Sequence, residues 1–186
     1  MKRFVLPVII LFISLNLHAQ GYSVGQVMLG PSAQIGFWKG KPGIGLALSG
    51  EYAKGLFFDN ISIGGDFGIT TYKKRYFAAQ WMGITWFEYR YTGLYLAPLL
   101  SWHILPDNVL DPYARLGFGT YLWFYKYTDN LGNTSEIKGV EASHKPVEVK
   151  PHIVFGARYW FADNKAIRIE TGYPMVFVVG LDFNVK

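Results

Sequence analysis

Apolar residues alternate with small or polar residues through nearly the whole chain after its first twenty positions. The last segment shows this period clearly, because every second residue in it is apolar: Met175, Phe177, Val179, Leu181, Phe183 and Val185. A period of two is that of a β-strand whose two faces meet different surroundings. Eight such segments follow one another, most of them near the ~9–11 residues of a tilted transmembrane strand. The pattern predicts an all-β chain of eight strands, with these six residues on one face of the last strand.

Short turns are marked by the dipeptide Asp-Asn. It follows the second, fourth and sixth predicted strands: Asp59-Asn60, Asp107-Asn108 and Asp163-Asn164. Asp and Asn close turns because their side chains bond nearby backbone amides and tolerate left-handed dihedral angles. The connections between these turns include two long ones, 72–90 and 126–150. Turns at every second connection predict an antiparallel up-and-down barrel, with these turns and both chain ends on one periplasmic rim.

Charged residues in the predicted strands lie on one face, and the opposite face of nearly every strand carries none. The charged face holds residues of mixed sign among many glycines: Glu51, Asp66, Arg115, Arg158, Arg168, Glu170 and Asp182. An uncharged exterior fits lipid, where Arg or Lys at the bilayer midplane costs ~2–4 kcal/mol. A soluble lipocalin-like barrel, the rival fold, would line its cup with apolar groups and carry its charges outside. The pattern therefore predicts a membrane barrel with a packed polar interior.

The pairing of the strands around the third Asp-Asn turn is limited, because cross-strand partners share one face of a sheet. A three-residue turn would set Arg158 opposite Arg168, a like-charge pair that destabilises a sheet. A five-residue turn, 162–166, sets Arg158 opposite Glu170 instead, and this is the register that we predict. Arg168 is then expected near Asp182 on the final strand.

Tyr and Trp concentrate where membrane proteins meet the water interface. Several lie near the ends of the predicted strands: Trp38, Tyr52, Tyr72, Tyr91, Trp102, Trp160 and Tyr173. Their position predicts an outward-facing aromatic girdle, and ordinary strand aromatics are the alternative.

The first twenty residues have the plan of a secretory signal peptide. Met1-Lys2-Arg3 is a positive n-region, an apolar h-region follows, and cleavage is expected after Ala19 or Gln20. The predicted domains are a signal peptide, 1–20, and an outer-membrane β-barrel, 21–186. Removing the two cations of the leader lowers the formal charge from +5 to +3, which is too weak to predict nucleic-acid binding. The chain has no cysteine, so neither a disulfide nor a lipid anchor is expected.

The mature chain resembles small outer-membrane β-barrel proteins of the OmpA/OmpX-like type. The segments that carry the resemblance are GLALSGEYA, NISIGGDFGIT, LPDNVLDPYARLGFG, GARYWFADN and VVGLDFNVK. The resemblance implies an eight-stranded barrel in the outer membrane of a Gram-negative bacterium. It also implies that Gly180, Phe183 and Val185 belong to the C-terminal signal that the barrel-assembly machinery reads. The chain departs from that signal by ending in Lys186 rather than an aromatic residue.

Any specific activity is expected in the loops, because an eight-stranded interior is just wide enough for side chains to fill. We therefore predict a structural or binding role through 72–90 and 126–150, in place of a general porin. The first of these either extends the strands and exposes an edge to a partner, or seats its aromatic rings among lipid headgroups. The expected partners are outer-membrane lipid or lipopolysaccharide, the assembly machinery and an extracellular ligand, and the protein is expected to be a monomer.

A lipid-modifying enzyme, of acyl esterase or deacylase type, is the alternative from a different class. Its site needs Ser and His on one face, with a carboxylate that orients the His. Ser101 and His103 share a face but lie near the predicted periplasmic rim, whereas lipid A occupies the opposite leaflet. The sequence contains no phosphate loop, nucleotide fingerprint or metal-ligand spacing. It therefore predicts no enzyme activity, no cofactor and no metal.

Overall fold

A computed structural model describes residues 23–38, 40–53, 59–80, 83–105, 109–129, 134–135 and 146–185. The predicted signal peptide and the Asp107-Asn108 turn lie outside the described residues, so both stay predictions. Within the described part, no helix is long and apolar enough to cross a membrane.

The described chain is all β. Its strands are β1 (Val27–Trp38), β2 (Lys41–Tyr52), β3 (Ile61–Gln80), β4 (Gly83–His103), β5 (Leu110–Asp129), the two-residue β6 (Thr134–Ser135), β7 (Val147–Ala162), β8 (Lys165–Tyr173) and β9 (Met175–Asn184). Each long strand pairs antiparallel with the next, β5 pairs with both β6 and β7, and β1 pairs with β9. The predicted fold, a closed eight-stranded up-and-down barrel, is confirmed.

Apolar side chains cover the outside of the barrel. On β1 the burial of side chains alternates residue by residue: Leu29, Ile35 and Phe37 are 43%, 51% and 54% exposed, whereas Ser32 and Gln34 are buried. On the other long strands most Leu, Ile, Val and Phe side chains are likewise outside. The inside holds polar residues and Tyr and Trp rings, together with a few aliphatic side chains such as Leu99 and Val154. The burial is therefore the reverse of that in a soluble lipocalin-like barrel.

Both ends of the described chain lie on one rim of the barrel. The backbone N–H of Val185 donates to the carbonyl of Val27 at 2.9 Å, and Asn184 donates to Asn164 at 3.0 Å. Asp59 and Asn60 form a turn directly before β3 on this same rim. We call it the turn rim and the opposite one the loop rim.

The predicted register of β7 and β8 is wrong. Arg158 lies opposite Arg168, not opposite Glu170. The turn has only two residues, Asp163-Asn164, because the residues on either side of it pair with each other. An irregularity in β7 just before the turn adds a residue to that strand and brings the two arginines onto one face. The repulsion between the two arginines is offset by carboxylates on other strands. Glu51 and Asp182 contact Arg158, and Asp182 also contacts Arg168. The pairing of β7 with β8 alone does not indicate these contacts.

The placement of Met175 on the outer face is also wrong. Its side chain is buried, in contact with the cluster that contains Trp38, while Phe177 is exposed as predicted. The pairing of β1 with β9 shifts between Ile35 and Gly36. The shift turns Met175 inward, which strict alternation along β9 could not indicate.

The predicted aromatic girdle is only partly present. Tyr52, Trp102 and Tyr173 are exposed on the outer surface. The remaining four members point into the barrel and are buried: Trp38, Tyr72, Tyr91 and Trp160. They are ordinary strand aromatics on inward-facing positions, the alternative that the sequence left open.

The predicted loop 72–90 is a paired hairpin. β3 and β4 remain paired up to Gln80 and Gly83, whereas the last β2 residue paired with β3 is Gly43, opposite Tyr72. Residues 73–80 and 83–90 therefore project beyond β2 on the loop rim, and we call them the arm. The eight residues of its first strand extend for about 26 Å at about 3.3 Å per residue. β5 accompanies β4 up to Phe87, which lies opposite Asp129.

The predicted loop 126–150 is partly strand as well. β5 continues to Asp129, β7 begins at Val147, and the short β6 pairs with Tyr127 and Thr128. Of the remaining residues of this connection only Pro146 is described, and its carbonyl accepts from the backbone N–H of Trp123 at 2.9 Å.

Aromatic rings fill the loop-side half of the lumen. Tyr72 and Tyr91 are stacked with ring centroids 4.6 Å apart, and Trp123 meets Tyr72 edge-on at 5.4 Å. Gly93 makes room for Trp123, because a Cβ atom on Gly93 would lie 2.7 Å from the indole ring. Side-chain size on the inward face is therefore constrained by rings on neighbouring strands.

Replacing Gly93 by Ala should destabilise the barrel by about 1–3 kcal/mol, because a buried ring must move to admit the methyl group. The free energy of unfolding can be measured by urea titration of refolded protein in detergent. Gly50→Ala is the matched control, because its Cβ would face outward and meet only the end of the Leu29 side chain at 3.3 Å. Equal stability of the two variants would contradict the packing described above.

Candidate functional site in the barrel interior

Arg158 on β7 is the centre of the interior charge network. Its Nη2 donates to Glu51 Oε2 at 2.8 Å, its Nε donates to Asp182 Oδ2 at 2.6 Å, and its Nη1 lies 3.3 Å from Asp111 Oδ2. These carboxylates belong to β2, β9 and β5, so one guanidinium joins three other strands. Its charged group also lies over the ring of Tyr113, 4.9 Å from the ring centroid.

Arg115 and Arg168 extend this network toward the loop rim. Arg115 contacts Asp66 at 2.9 Å and Glu170 at 3.0 Å. Arg168 lies 3.6 Å from Glu170 and 3.4 Å from Asp182. The structure thus brings all seven predicted interior residues into one connected set, and the expected neighbourhood of Arg168 and Asp182 is present. Asp66, Glu170 and Asp182 each face at least one arginine, as charges removed from water require.

Sequence reasoning missed Asp111. Its carboxylate is buried and accepts from His103 Nδ1 at 2.8 Å, in addition to contacting Arg158. One signal was available: Asp111 lies two residues before Tyr113 and four before Arg115, so a strand places all three side chains on the same inward face. That signal was weak because the neighbouring Pro112 and the turn before it made the start of the strand uncertain.

His103 lies between two carboxylates. Its Nδ1 faces Asp111, and its Nε2 is 2.7 Å from Glu51 Oε1. Ser62 donates a hydrogen bond to the same Glu51 oxygen and lies 3.2 Å from His103 Nε2. An imidazole can donate to two carboxylates at once only when both its nitrogens carry protons. The arrangement therefore fits a cationic His103 that reduces the excess of carboxylates over arginines in this network.

The Ser-His-Asp order of Ser62, His103 and Asp111 resembles a nucleophile with its base and orienting acid. However, the serine hydroxyl donates to Glu51, and all three side chains are buried in the interior charge network. A nucleophile needs a place beside it for the reacting carbonyl. Here the serine hydroxyl is turned toward Glu51, whose other oxygen is held by Arg158.

Ser101 and His103, the pair considered for the enzyme alternative, do not contact each other in this way. Ser101 and His103 are both buried on the inward face, as expected. However, the hydroxyl of Ser101 has no hydrogen-bond partner among the described residues, whereas His103 is engaged by Glu51 and Asp111. The structure does not join Ser101 to His103 as nucleophile and base.

Side chains cross the lumen at two levels. The contact of Arg158 with Glu51 joins β7 to β2, which lie on opposite sides of the barrel. Nearer the loop rim, the hydroxyl of Tyr95 on β4 donates to Gln34 on β1 at 3.0 Å. A barrel of eight strands has an interior that side chains can fill, and these contacts fill it at both levels.

The residues of the predicted C-terminal signal lie on β9 and just after it. Gly180 is buried on the inward face, whereas Phe183 and Val185 point outward and are exposed. The described residues contain no group of three or more His, Cys, Asp or Glu side chains that could hold a metal ion.

No family model matches this chain, and no curated protein matches it. Among solved structures it is similar to a de novo designed transmembrane β-barrel, with 16% identity over 89% of this chain and 99% of that chain and a TM-score of 0.48. It is also similar to Ail, the attachment invasion locus protein of Yersinia pestis, with 14% identity over 87% of this chain and 98% of that one and a TM-score of 0.46. Neisserial surface protein A gives 13% identity, 87% and 98% coverage and a TM-score of 0.46. The likeness concerns the fold alone.

Replacing Arg158 by Leu should lower the free energy of unfolding by about 3–5 kcal/mol, because three carboxylates would lose their shared partner in a buried site. Arg158→Lys should recover only part of this loss, since an ammonium group cannot present the planar fork of a guanidinium. Denaturant titration in detergent measures both values.

Lys165→Leu is the control for this series, because Lys165 is an exposed cation at the neighbouring turn. Its substitution should change stability by no more than about 0.5 kcal/mol. If Arg158→Leu were as stable as this control, the network would not be what holds the interior together.

Proposed function

We propose that the protein is an integral outer-membrane barrel with a sealed interior that acts through its loop-rim surface. The observation that carries the proposal is the continuous belt of exposed apolar side chains around a charged core. On β3 the outward face from Ile61 to Thr71 covers about 33 Å along the strand, or about 25 Å across a membrane at a typical tilt of about 40°. That height matches the apolar band of outer-membrane barrels.

The sealed interior supports a role other than a general porin. The contacts of Arg158 with Glu51 and of Tyr95 with Gln34 cross the lumen at two levels and link strands that are not neighbours. Solute passage would require both levels of contact to open. We therefore place any specific activity outside the lumen.

The arm is the element that we propose for binding on the extracellular side. Beyond Tyr72 the outer edge of β3 has no paired strand within the described residues, although β4 pairs along its other edge. An unpaired edge exposes backbone N–H and C=O groups to which an extended segment can add. This edge begins with three cations, Lys73, Lys74 and Arg75.

Assembly and surroundings follow from the same proposal. Phe183 and Val185 lie side by side on the outward face of the closing strand, where the barrel-assembly machinery could read them. Outer-membrane lipid, including lipopolysaccharide, would surround the belt, and the closed β1–β9 seam needs no second copy to complete it.

The membrane proposal can be tested with one substitution inside the belt and one outside it. Leu116→Arg places a charge on an outward side chain within the belt and should destabilise the folded barrel in bilayers by roughly 2–4 kcal/mol. Phe77→Arg changes an exposed outward residue of the arm, which would lie in water, and should have little effect. The readout is the fraction of protein that keeps its folded gel mobility without boiling, across a urea series in lipid vesicles. Equal sensitivity of the two sites would refute the membrane position of the belt.

The arm should be dispensable for folding if its role is binding. Lys74 and Tyr89 are cross-strand partners, so an Asn-Gly turn can join them directly and replace residues 75–88. An isolated hairpin is marginally stable, so we expect the shortened chain to insert and to unfold within about 1 kcal/mol of the wild type. Leu94→Pro, in the middle of the barrel wall, is the contrasting variant and should abolish folding. Loss of folding on shortening would instead make the arm part of the structural core.

A further inference from the structure

Three cations stand side by side on the outer surface where the arm leaves the barrel. Lys73 on β3 lies opposite Arg90 on β4, and Arg90 lies opposite Lys126 on β5. All three are exposed, and neighbouring strands are about 4.8 Å apart. Like charges directly opposite each other destabilise a sheet. We call these three residues the cation row.

Carboxylates near the cation row do not neutralise it. Glu88 accepts from Lys73 at 3.0 Å and from Arg75 at 2.9 Å. Hydrogen bonds from Lys73 and from Arg75 lower the pKa of Glu88, so this carboxylate stays ionised at neutral pH. It balances one of the four outward cations formed by the row and Arg75. The other two members of the row, Arg90 and Lys126, have no carboxylate partner among the described residues.

The cation row lies at the upper edge of the apolar belt. The next outward row toward the turn rim is Thr71, Thr92 and Phe124, and Ile69, Leu94 and Leu122 follow it. In the proposed orientation the cations are therefore at the level of the lipid headgroups of the outer leaflet. Lys and Arg at this level attract anionic headgroups.

A shallow groove begins at Arg90 of the cation row and crosses the lipid-facing surface of β3, β2, β1 and β9. It has a volume of about 740 Å³ and is lined by Arg90 at one end and by apolar side chains that include Ile35, Ile44, Ile69 and Phe177. A cation at the end of an apolar groove matches an amphiphile that has an anionic head and a hydrocarbon tail. This second feature separates the site from a scattered set of surface lysines.

We propose that the cation row binds the phosphate-bearing headgroup of an outer-leaflet lipid, with an acyl chain of that lipid in the adjoining groove. The inference rests on the proposed membrane orientation. The lipid phosphate relieves the repulsion between Lys73, Arg90 and Lys126, and the apolar lining holds the tail. A free phosphate ion offers the same oxygens but would leave the groove unused.

The test compares lipid association in bilayer nanodiscs of phosphatidylcholine that contain a minor fraction of spin-labelled phosphatidic acid. The wild type should concentrate the labelled lipid at its surface. The double variant Arg90→Gln/Lys126→Gln should reduce this selectivity roughly tenfold. Lys41→Gln/Lys165→Gln, which removes the same charge at exposed positions outside the row, should retain it.

The outcomes separate the site from the membrane proposal. If all chains insert and keep their folded gel mobility but the two double variants select lipid equally, the cation-row proposal is wrong and the membrane proposal stands. If the wild type does not insert, both proposals are wrong. Displacement of the labelled lipid by an excess of inorganic phosphate would assign a free-anion site and would overturn the lipid assignment.

Discussion

The narrow bore of an eight-stranded barrel is the constraint on which the rest of the structure depends. Its interior has room for side chains and little else, so inward charges can reach partners on other strands. Arg158 and Glu51 meet across the full width of the lumen at 2.8 Å, and Arg158 also serves Asp111 and Asp182. Because the buried carboxylates and arginines of this network pair with one another inside, the outer face is free to be apolar. The same contacts across the lumen are the basis for proposing that the protein acts at its outer and loop-rim surfaces.

The sequence predicted what depends on local alternation and failed where distant strands decide. A period of two assigns each side chain to a face, so the charged interior and the apolar exterior could be predicted residue by residue. The register at the third Asp-Asn turn could not, because the repulsion between Arg158 and Arg168 decides it only where no other charge is near. Asp182 contacts both guanidinium groups, at 2.6 Å and 3.4 Å. A neighbouring strand that carries a carboxylate removes the penalty on which the prediction rested.

The aromatic girdle was predicted only in part, because residue type near a strand end does not say which face a side chain is on. Tyr and Trp suit a membrane interface and a packed lumen equally well, so residue type alone does not decide between them. The alternation of the strand does decide. Tyr72 and Tyr91 lie on the same face as the interior charges, whereas Tyr52 and Trp102 lie on the apolar outer face. Applying the strand period to the aromatics as strictly as to the charges would have separated the two groups. The bulge that turns Met175 inward offers no such signal, since it arises from the pairing of β9 with β1.

The strands of the arm carry aromatic rings on their inner face and cations on their outer face, and the packing of the rings fixes the positions of the cations. On the inner face, the ring of Tyr89 contacts those of Tyr76 and Tyr127 with centroids 5.6 Å and 5.4 Å apart, which continues the aromatic packing of the lumen above the rim. A bare hairpin would be marginal, so this packing is what can hold the outward side chains in fixed register. Because the register is fixed, Lys73 stays beside Arg90 although the two like charges repel each other. The inner rings thus explain how a destabilising row of cations can persist at the level where a lipid phosphate would neutralise it.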